Sequence, residues 1–203
     1  MKKPHKFFEK YLDNDLEKLS KELQIRYDFI DKNKNITPND IWKASNSVST
    51  IKWREYNVFQ FHIDEIYNLY SAVSDLTKEA CEYYGIDFYE QQYMIQGWFN
   101  INYNKKGKLD WHDHGPNGAP NFHGYYCVNA EPSITYYKID GVHEVENINK
   151  NNRAILSEMT HPHAMADWDW DGPRITVAYD LLPLQEVKKV FSLHDEQHWI
   201  PLL

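Results

Sequence analysis

An α+β chain, mainly β, with helices first and then one barrel or sandwich of short strands is what this sequence predicts, on three observations. Apolar residues in the first third recur at three- and four-residue steps. From residue 91 the apolar period drops to two, and short alternating segments then follow one another as far as residue 183. The 203 residues, 42% hydrophobic and 15% aromatic, suffice for a single core, so the chain reads as one domain over residues 1–203. Within it, residues 1–90 form a mainly helical part, 91–183 the barrel core and 184–203 a C-terminal tail.

Taken in order, Phe8, Tyr11, Leu12, Leu16, Leu19 and Leu23 share one face of an amphipathic helix. "DKNKNITPND" is a polar loop in which Thr37 is placed to cap a helix beginning at Pro38. A second helix is expected over residues 62 to 84, with Ile63, Ile66, Tyr67, Tyr70, Val73 and Ala80 in one stripe and Gly85 as its stop. In "QYMIQGWFNINY", Tyr93, Ile95, Phe99, Ile101 and Tyr103 point one way; Met94, Gln96, Trp98, Asn100 and Asn102 point the other. Further strands are expected in "LDWHDH", "GYYCVNA", "SITYYKI", "RAILSE", "HAMADWDW" and "RITVAYDLL".

Composition narrows the function classes. Lys and Arg total 22 against 30 for Asp and Glu, a formal charge of −8 that argues against a nucleic-acid partner. No apolar run approaches the length of a membrane span, and the start, "MKKPHKFFEKYLDNDLEK", lacks the apolar segment of a secretory signal. With Cys81 and Cys127 as the two cysteines, no disulfide framework is expected, and a cytoplasmic location follows.

Histidine placement carries more. Six of the ten (His112, His114, His123, His143, His161 and His163) fall within 52 residues, where even spacing would put two or three. On a strand, residues two apart point the same way, so His112 and His114 aim at one spot while Asp113 faces away. A second His-x-His, His161 and His163, lies about fifty residues on and supplies the rest of a metal site. Open iron(II) sites take histidines and a carboxylate on one face and leave positions for cosubstrate and oxygen. The competing reading is surface hydrogen bonding beside a turn. His123 and His143 are expected at the surface, and His194 and His198, four apart, in a solvated tail.

Arg174 opens "RITVAYD" and shares a strand face with Thr176 and Ala178. An arginine pointing inward needs an anion, because an unpaired buried charge is costly. A dicarboxylate cosubstrate held bidentately, with the Thr176 hydroxyl alongside, meets that need; an ordinary salt bridge is the alternative. Trp168 and Trp170, alternating in "ADWDWDG", lie either at a pocket entrance or on an edge strand guarded by aspartates.

The order of these pieces resembles the iron(II)/2-oxoglutarate-dependent oxygenases, in particular their prolyl-hydroxylase-like branch and its phage relatives. "GWFNINYNKKG", "WHDHGPNG…GYYCVN", "RAILSEMTHPHAM" and "RITVAYD" carry the likeness, over residues 97 to 180 and with an eleven-residue step from His163 to Arg174. The resemblance implies a double-stranded β-helix (jelly-roll) core with the helices packed on it. It implies Fe(II), 2-oxoglutarate and O2 as cofactor and cosubstrates. His112 and His163 would ligate the metal, Arg174 would bind the remote carboxylate, and Tyr126 would help hold the cosubstrate.

One position departs from the family's His-x-Asp: the third place is His114. Either iron sits in a three-histidine site, or a bulge turns Asp113 inward. Strand geometry favours His114, and the family's habitual charge balance favours Asp113. The implied reaction is decarboxylation of 2-oxoglutarate to succinate coupled to hydroxylation of an amino-acid side chain, peptide-bound or free, or of a small metabolite. Trp98, Asn100 and Asn102 would line the substrate pocket. The rivals are a cupin-type three-histidine dioxygenase that uses no 2-oxoglutarate and a non-catalytic jelly-roll binding or structural module. A zinc hydrolase is disfavoured, since "HDHGPN" lacks the Asp-His pair that such binuclear sites use.

Overall fold

The computed structural model describes residues 3–33, 47–49, 56–103, 109–114, 121–139, 141–190 and 199–203. Along the chain these form β1 (Phe8–Tyr11), α1 (Leu16–Asn33), β2 (Ser47–Ser49), α2 (Asp64–Tyr84), α3 (Phe88–Gln91) and β3 (Tyr93–Asn102). Then come β4 (Leu109–His112), β5 (Phe122–Asn129), β6 (Ile134–Ile139), β7 (His143–Ile148) and β8 (Arg153–Glu158). The chain finishes with β9 (His163–Met165), β10 (Arg174–Pro183), α4 (Leu184–Val190) and β11 (Ile200–Pro201).

Asp15 decides where the first helix starts. Its side chain accepts from Lys18 N at 3.0 Å and its carbonyl from Leu19 N at 2.9 Å, so the polar "DND" stretch caps α1 rather than continuing a helix through it. The helix therefore starts later than expected, at Leu16, and runs on to Asn33. Phe8–Tyr11 instead pair antiparallel with β8, from Phe8 opposite Leu156 to Tyr11 opposite Arg153. The second helix runs as expected, and Gly85 ends it in the left-handed conformation, φ 73°. Its buried stripe is Ile66, Leu69, Val73, Leu76 and Ala80, while Tyr67 lies exposed. Thr37 lies outside the described residues, as do His194 and His198.

Two antiparallel sheets build the barrel. The larger has the order β1-β8-β5-β10-β3-β11, with β2 also on β3; the smaller runs β4-β9-β6-β7. Alternation on β3 and β10 puts one face against the helices and the other between the sheets. Phe99, Ile101, Val177, Tyr179 and Leu181 pack on the helix side. Trp98, Tyr125, Cys127, Tyr137, Ile155 and Ala178 pack in the inner chamber. Covered on both faces, all ten residues of β10 are buried. Each large apolar side chain so buried contributes roughly 1.5–3 kcal/mol of transfer free energy. Gly124 is required where it sits: a Cβ there would run into the Ile155 carbonyl and the Tyr179 ring.

Three further expectations are corrected. His143 is exposed as expected but begins β7, a strand absent from the expected set; five of its six residues are exposed, so no alternation marked it. "ADWDW" forms no strand beyond Met165: Trp168 is buried and its indole N–H reaches the Gly172 carbonyl at 3.3 Å. The C-terminal segment is no solvated tail where it is described, because Trp199 and Leu202 are buried and β11 pairs with β3. Cys81 and Cys127 are both free and buried. Among the described residues no helix is long and apolar enough to cross a membrane.

Candidate metal centre

β4, β9 and β6 lie side by side, and their register sets three side chains in a row. His112 stands opposite His163, and His163 opposite Tyr137. Residues in direct register project from the same face, so these rings meet. His114 lies two residues past His112, just beyond the strand end, and turns back to join them. The ligand atoms of His112, His114 and His163 lie within 4.8 Å of one another. Ring centroids are 4.4 Å apart for His112–His163, 5.2 Å for His112–His114 and 5.1 Å for His114–His163. Asp113 is exposed, so of the two alternatives His114 is the one in reach of both other histidines.

Two residues join that sequence reasoning passed over. His123, expected at the surface, is 3% exposed. β5 begins at Phe122, which puts His123 in the inward series with Tyr125 and Cys127. Asp180 continues the inward face of Arg174, Thr176 and Ala178 and sits opposite His123 and Gln96. Its Oδ1 is 2.7 Å from His123 Nδ1 and its Oδ2 3.3 Å from His114 Nδ1. His114, His123 and Asp180 have ligand atoms within 4.8 Å of one another, a second set sharing His114. The parity of the "RITVAYD" strand was the signal available for Asp180.

The electrostatics suit a cation. Burial, then the neighbouring His114, lowers the His123 pKa to about 4, and burial with the surrounding imidazoles holds His163 well below the usual histidine range. Burial alone would raise Asp180, but His114 and His123 outweigh it and bring the carboxyl to about 2. At neutral pH His123 and His163 are thus uncharged and Asp180 is ionised, donors that suit a divalent metal.

Arg174 faces the same chamber, 5% exposed. Its Nε donates to Ser133 Oγ at 3.2 Å, and the groups that bear on its charge are Cys127, Tyr125 and Tyr137; no carboxylate among the described residues is paired with it. Burial pushes the guanidinium pKa down. The buried Tyr137 hydroxyl lies beside Ser157, and its ring lies 5.5 Å from that of His163. Tyr137 thus stands between the histidines and the guanidinium. Thr176 is buried opposite Asn100, Asn102 is opposite Arg174, and Trp98 is opposite Ala178. Trp98 stacks on His114 at 5.5 Å and 19°.

Tyr126 is the expectation that fails. It is in register with Val177 on the helix side, where its hydroxyl contacts Asn14 and Asn152. The chamber tyrosine of β5 is Tyr125, whose hydroxyl donates to Asn149 at 2.8 Å. A one-residue slip in a strand exchanges faces, which is why a resemblance good to one residue picked the wrong ring.

No protein-family model matches the chain, and no curated protein does. Solved structures do. A prolyl hydroxylase from Trichoplax adhaerens, in complex with a hypoxia-inducible-factor peptide fragment, superposes with a TM-score of 0.60 at 12% identity, over 92% of this chain and 87% of that one. A Pseudomonas putida prolyl-4-hydroxylase gives 0.57 at 9% identity, over 88% and 92%. A non-heme α-ketoglutarate-dependent epimerase of nogalamycin biosynthesis gives 0.57 at 9% identity, over 89% and 77%. The two sheets therefore form a double-stranded β-helix, the fold that these solved oxygenase structures share. Hydroxylases and an epimerase share that architecture, so the reaction has to be argued from the site.

Proposed function

We propose that this protein is an Fe(II)- and 2-oxoglutarate-dependent dioxygenase that hydroxylates an amino-acid side chain, peptide-bound or free, or a small metabolite. One observation carries the reading. A buried arginine without a carboxylate partner among the described residues shares a chamber with three convergent imidazoles. An uncompensated buried charge is strongly unfavourable, so the chamber is built for an anion.

His112, His114 and His163 would hold iron, three nitrogen donors of a kind that suits it. When bound, iron(II) with its cosubstrates supplies the oxidising chemistry, in which 2-oxoglutarate and O2 become succinate and carbon dioxide and a substrate C–H becomes C–OH. Asp180 accepts a hydrogen bond from His114 Nδ1–H, which fixes the tautomer and leaves Nε2 for the metal. It also returns to the cluster the negative charge that the His-x-His motif lacks. Arg174 would hold the remote carboxylate of 2-oxoglutarate, with the Thr176 and Tyr137 hydroxyls alongside. Trp98 covers His114 and keeps water from that side, while Asn100 and Asn102 offer amides to orient a substrate. In the Trichoplax adhaerens hydroxylase the bound partner is a peptide, which supports a peptide substrate here.

The all-histidine donor set also favours a second reading, a cupin-type dioxygenase without 2-oxoglutarate. Arg174 separates the two. Succinate release from 2-oxoglutarate, with iron(II) and ascorbate and a panel of amino acids, peptides and metabolites, tests the proposal. His163→Ala should abolish release. Oxygen consumption that needs iron but neither 2-oxoglutarate nor Arg174 would establish the cupin reading instead.

A further inference from the structure

A second cluster of metal-binding side chains lies outside this chamber. His5, Glu158 and His161 bring one ligand atom each within 4.8 Å of one another, from three separate places in the chain. His5 precedes β1, Glu158 closes β8, and His161 lies in the turn before β9. β1 runs antiparallel to β8 with Phe8 opposite Leu156, so the residues before Phe8 continue past the end of β8 and carry His5 to the turn. That turn is tight: His161 N donates to the Glu158 carbonyl at 3.3 Å, which sets both side chains at one end of the barrel. The His5 and His161 rings meet edge to face, with centroids 4.2 Å apart.

The surroundings are those of a ligand set. His161 is 7% exposed. The Tyr84 hydroxyl donates to Glu158 Oε1 at 3.0 Å, leaving Oε2 for a cation. Outer hydrogen bonds of this kind orient ligating carboxylates. Phe7 shields the other side, its ring 4.5 Å from His5 and 4.8 Å from Tyr137. Two imidazoles and one carboxylate are donors that zinc takes.

We propose that His5, Glu158 and His161 form a second metal site, one that takes zinc and plays a structural part. It fastens the N-terminal segment to the turn that delivers His163, whose Nδ1 lies 3.4 Å from the His161 carbonyl. The ion does no chemistry; it clips residues 5, 158 and 161 together and steadies one wall of the chamber.

Zinc equilibrium dialysis with metal analysis tests this without any activity assay. The parent is His112→Ala, chosen so that the chamber site is impaired and the count there is only a baseline. Adding His5→Ala or Glu158→Gln should each lower bound zinc by about one equivalent, the loss expected of a three-ligand site deprived of one donor. Zinc should also raise the melting temperature of the His112→Ala protein by more than that of either double variant. Glu158→Gln preserves shape and an acceptor for Tyr84, so it guards against a result caused by misfolding. An unchanged zinc count in both double variants overturns the proposal, whatever the chamber binds.

Discussion

Asp180 Oδ2 lies 3.3 Å from His114 Nδ1, so the residue that replaces the expected aspartate is held by a carboxylate from another strand. In the proposed site this carboxylate stands behind His114. Asp180→Asn should weaken iron(II) or manganese(II) binding by about 10- to 100-fold while the protein stays folded. Anaerobic calorimetry measures this, and an unchanged affinity would remove Asp180 from the account.

Arg174 should govern cosubstrate binding and little else. Arg174→Ala is expected to raise the KM for 2-oxoglutarate at least about tenfold, the loss of a charge-assisted, bidentate pair. Arg174→Lys should recover part of this, since a point charge remains but the planar fork does not. Steady-state kinetics over a range of 2-oxoglutarate concentrations provides the check.

Gly124 is a packing constraint with no part in the chemistry. Gly124→Ala places a methyl against the Ile155 carbonyl and the Tyr179 ring, and Tyr179 is pinned by its own 2.8 Å bond to that carbonyl. Overpacking of this kind costs about 1–3 kcal/mol. Urea unfolding should show a lower midpoint with an unchanged slope.

Alkaline stability should depend on Cys127. Burial pushes its thiol up to about 11, whereas an unfolded thiol titrates near 8.5. Between those values the unfolded chain has lost a proton that the fold still holds. Stability is therefore full below the lower value and falls as pH rises towards the upper, by at most about 1.4 kcal/mol per pH unit for this one group. Melting temperatures from pH 8 to 11 should fall less steeply for Cys127→Ala.

Much of the barrel was legible because its strands obey parity. Trp98, Asn100 and Asn102 on β3 and Arg174, Thr176 and Ala178 on β10 were grouped from alternation alone, and their register puts both groups on one face of the sheet. Parity also set His112 with His114 and turned Asp113 outward. What escaped depended on partners distant in sequence. Phe8–Tyr11 carry a helical period yet form a strand, because β8 offers an edge to pair with. His123 looks like a loop residue beside "GPNGAPN" until β5 is seen to start at Phe122. Tyr137 carries no motif; its role comes from standing opposite His163 across two strands.

The central claim is that three imidazoles and one guanidinium serve a single chamber, and binding linkage measures it most directly. 2-Oxoglutarate is titrated anaerobically into the protein with and without manganese(II), and again into Arg174→Ala. The account predicts that the metal tightens 2-oxoglutarate binding several-fold or more, and that the anion does the same for the metal. Affinity should drop in Arg174→Ala even with metal present. Equal 2-oxoglutarate affinity with and without metal, or in the presence and absence of the Arg174 side chain, would contradict it.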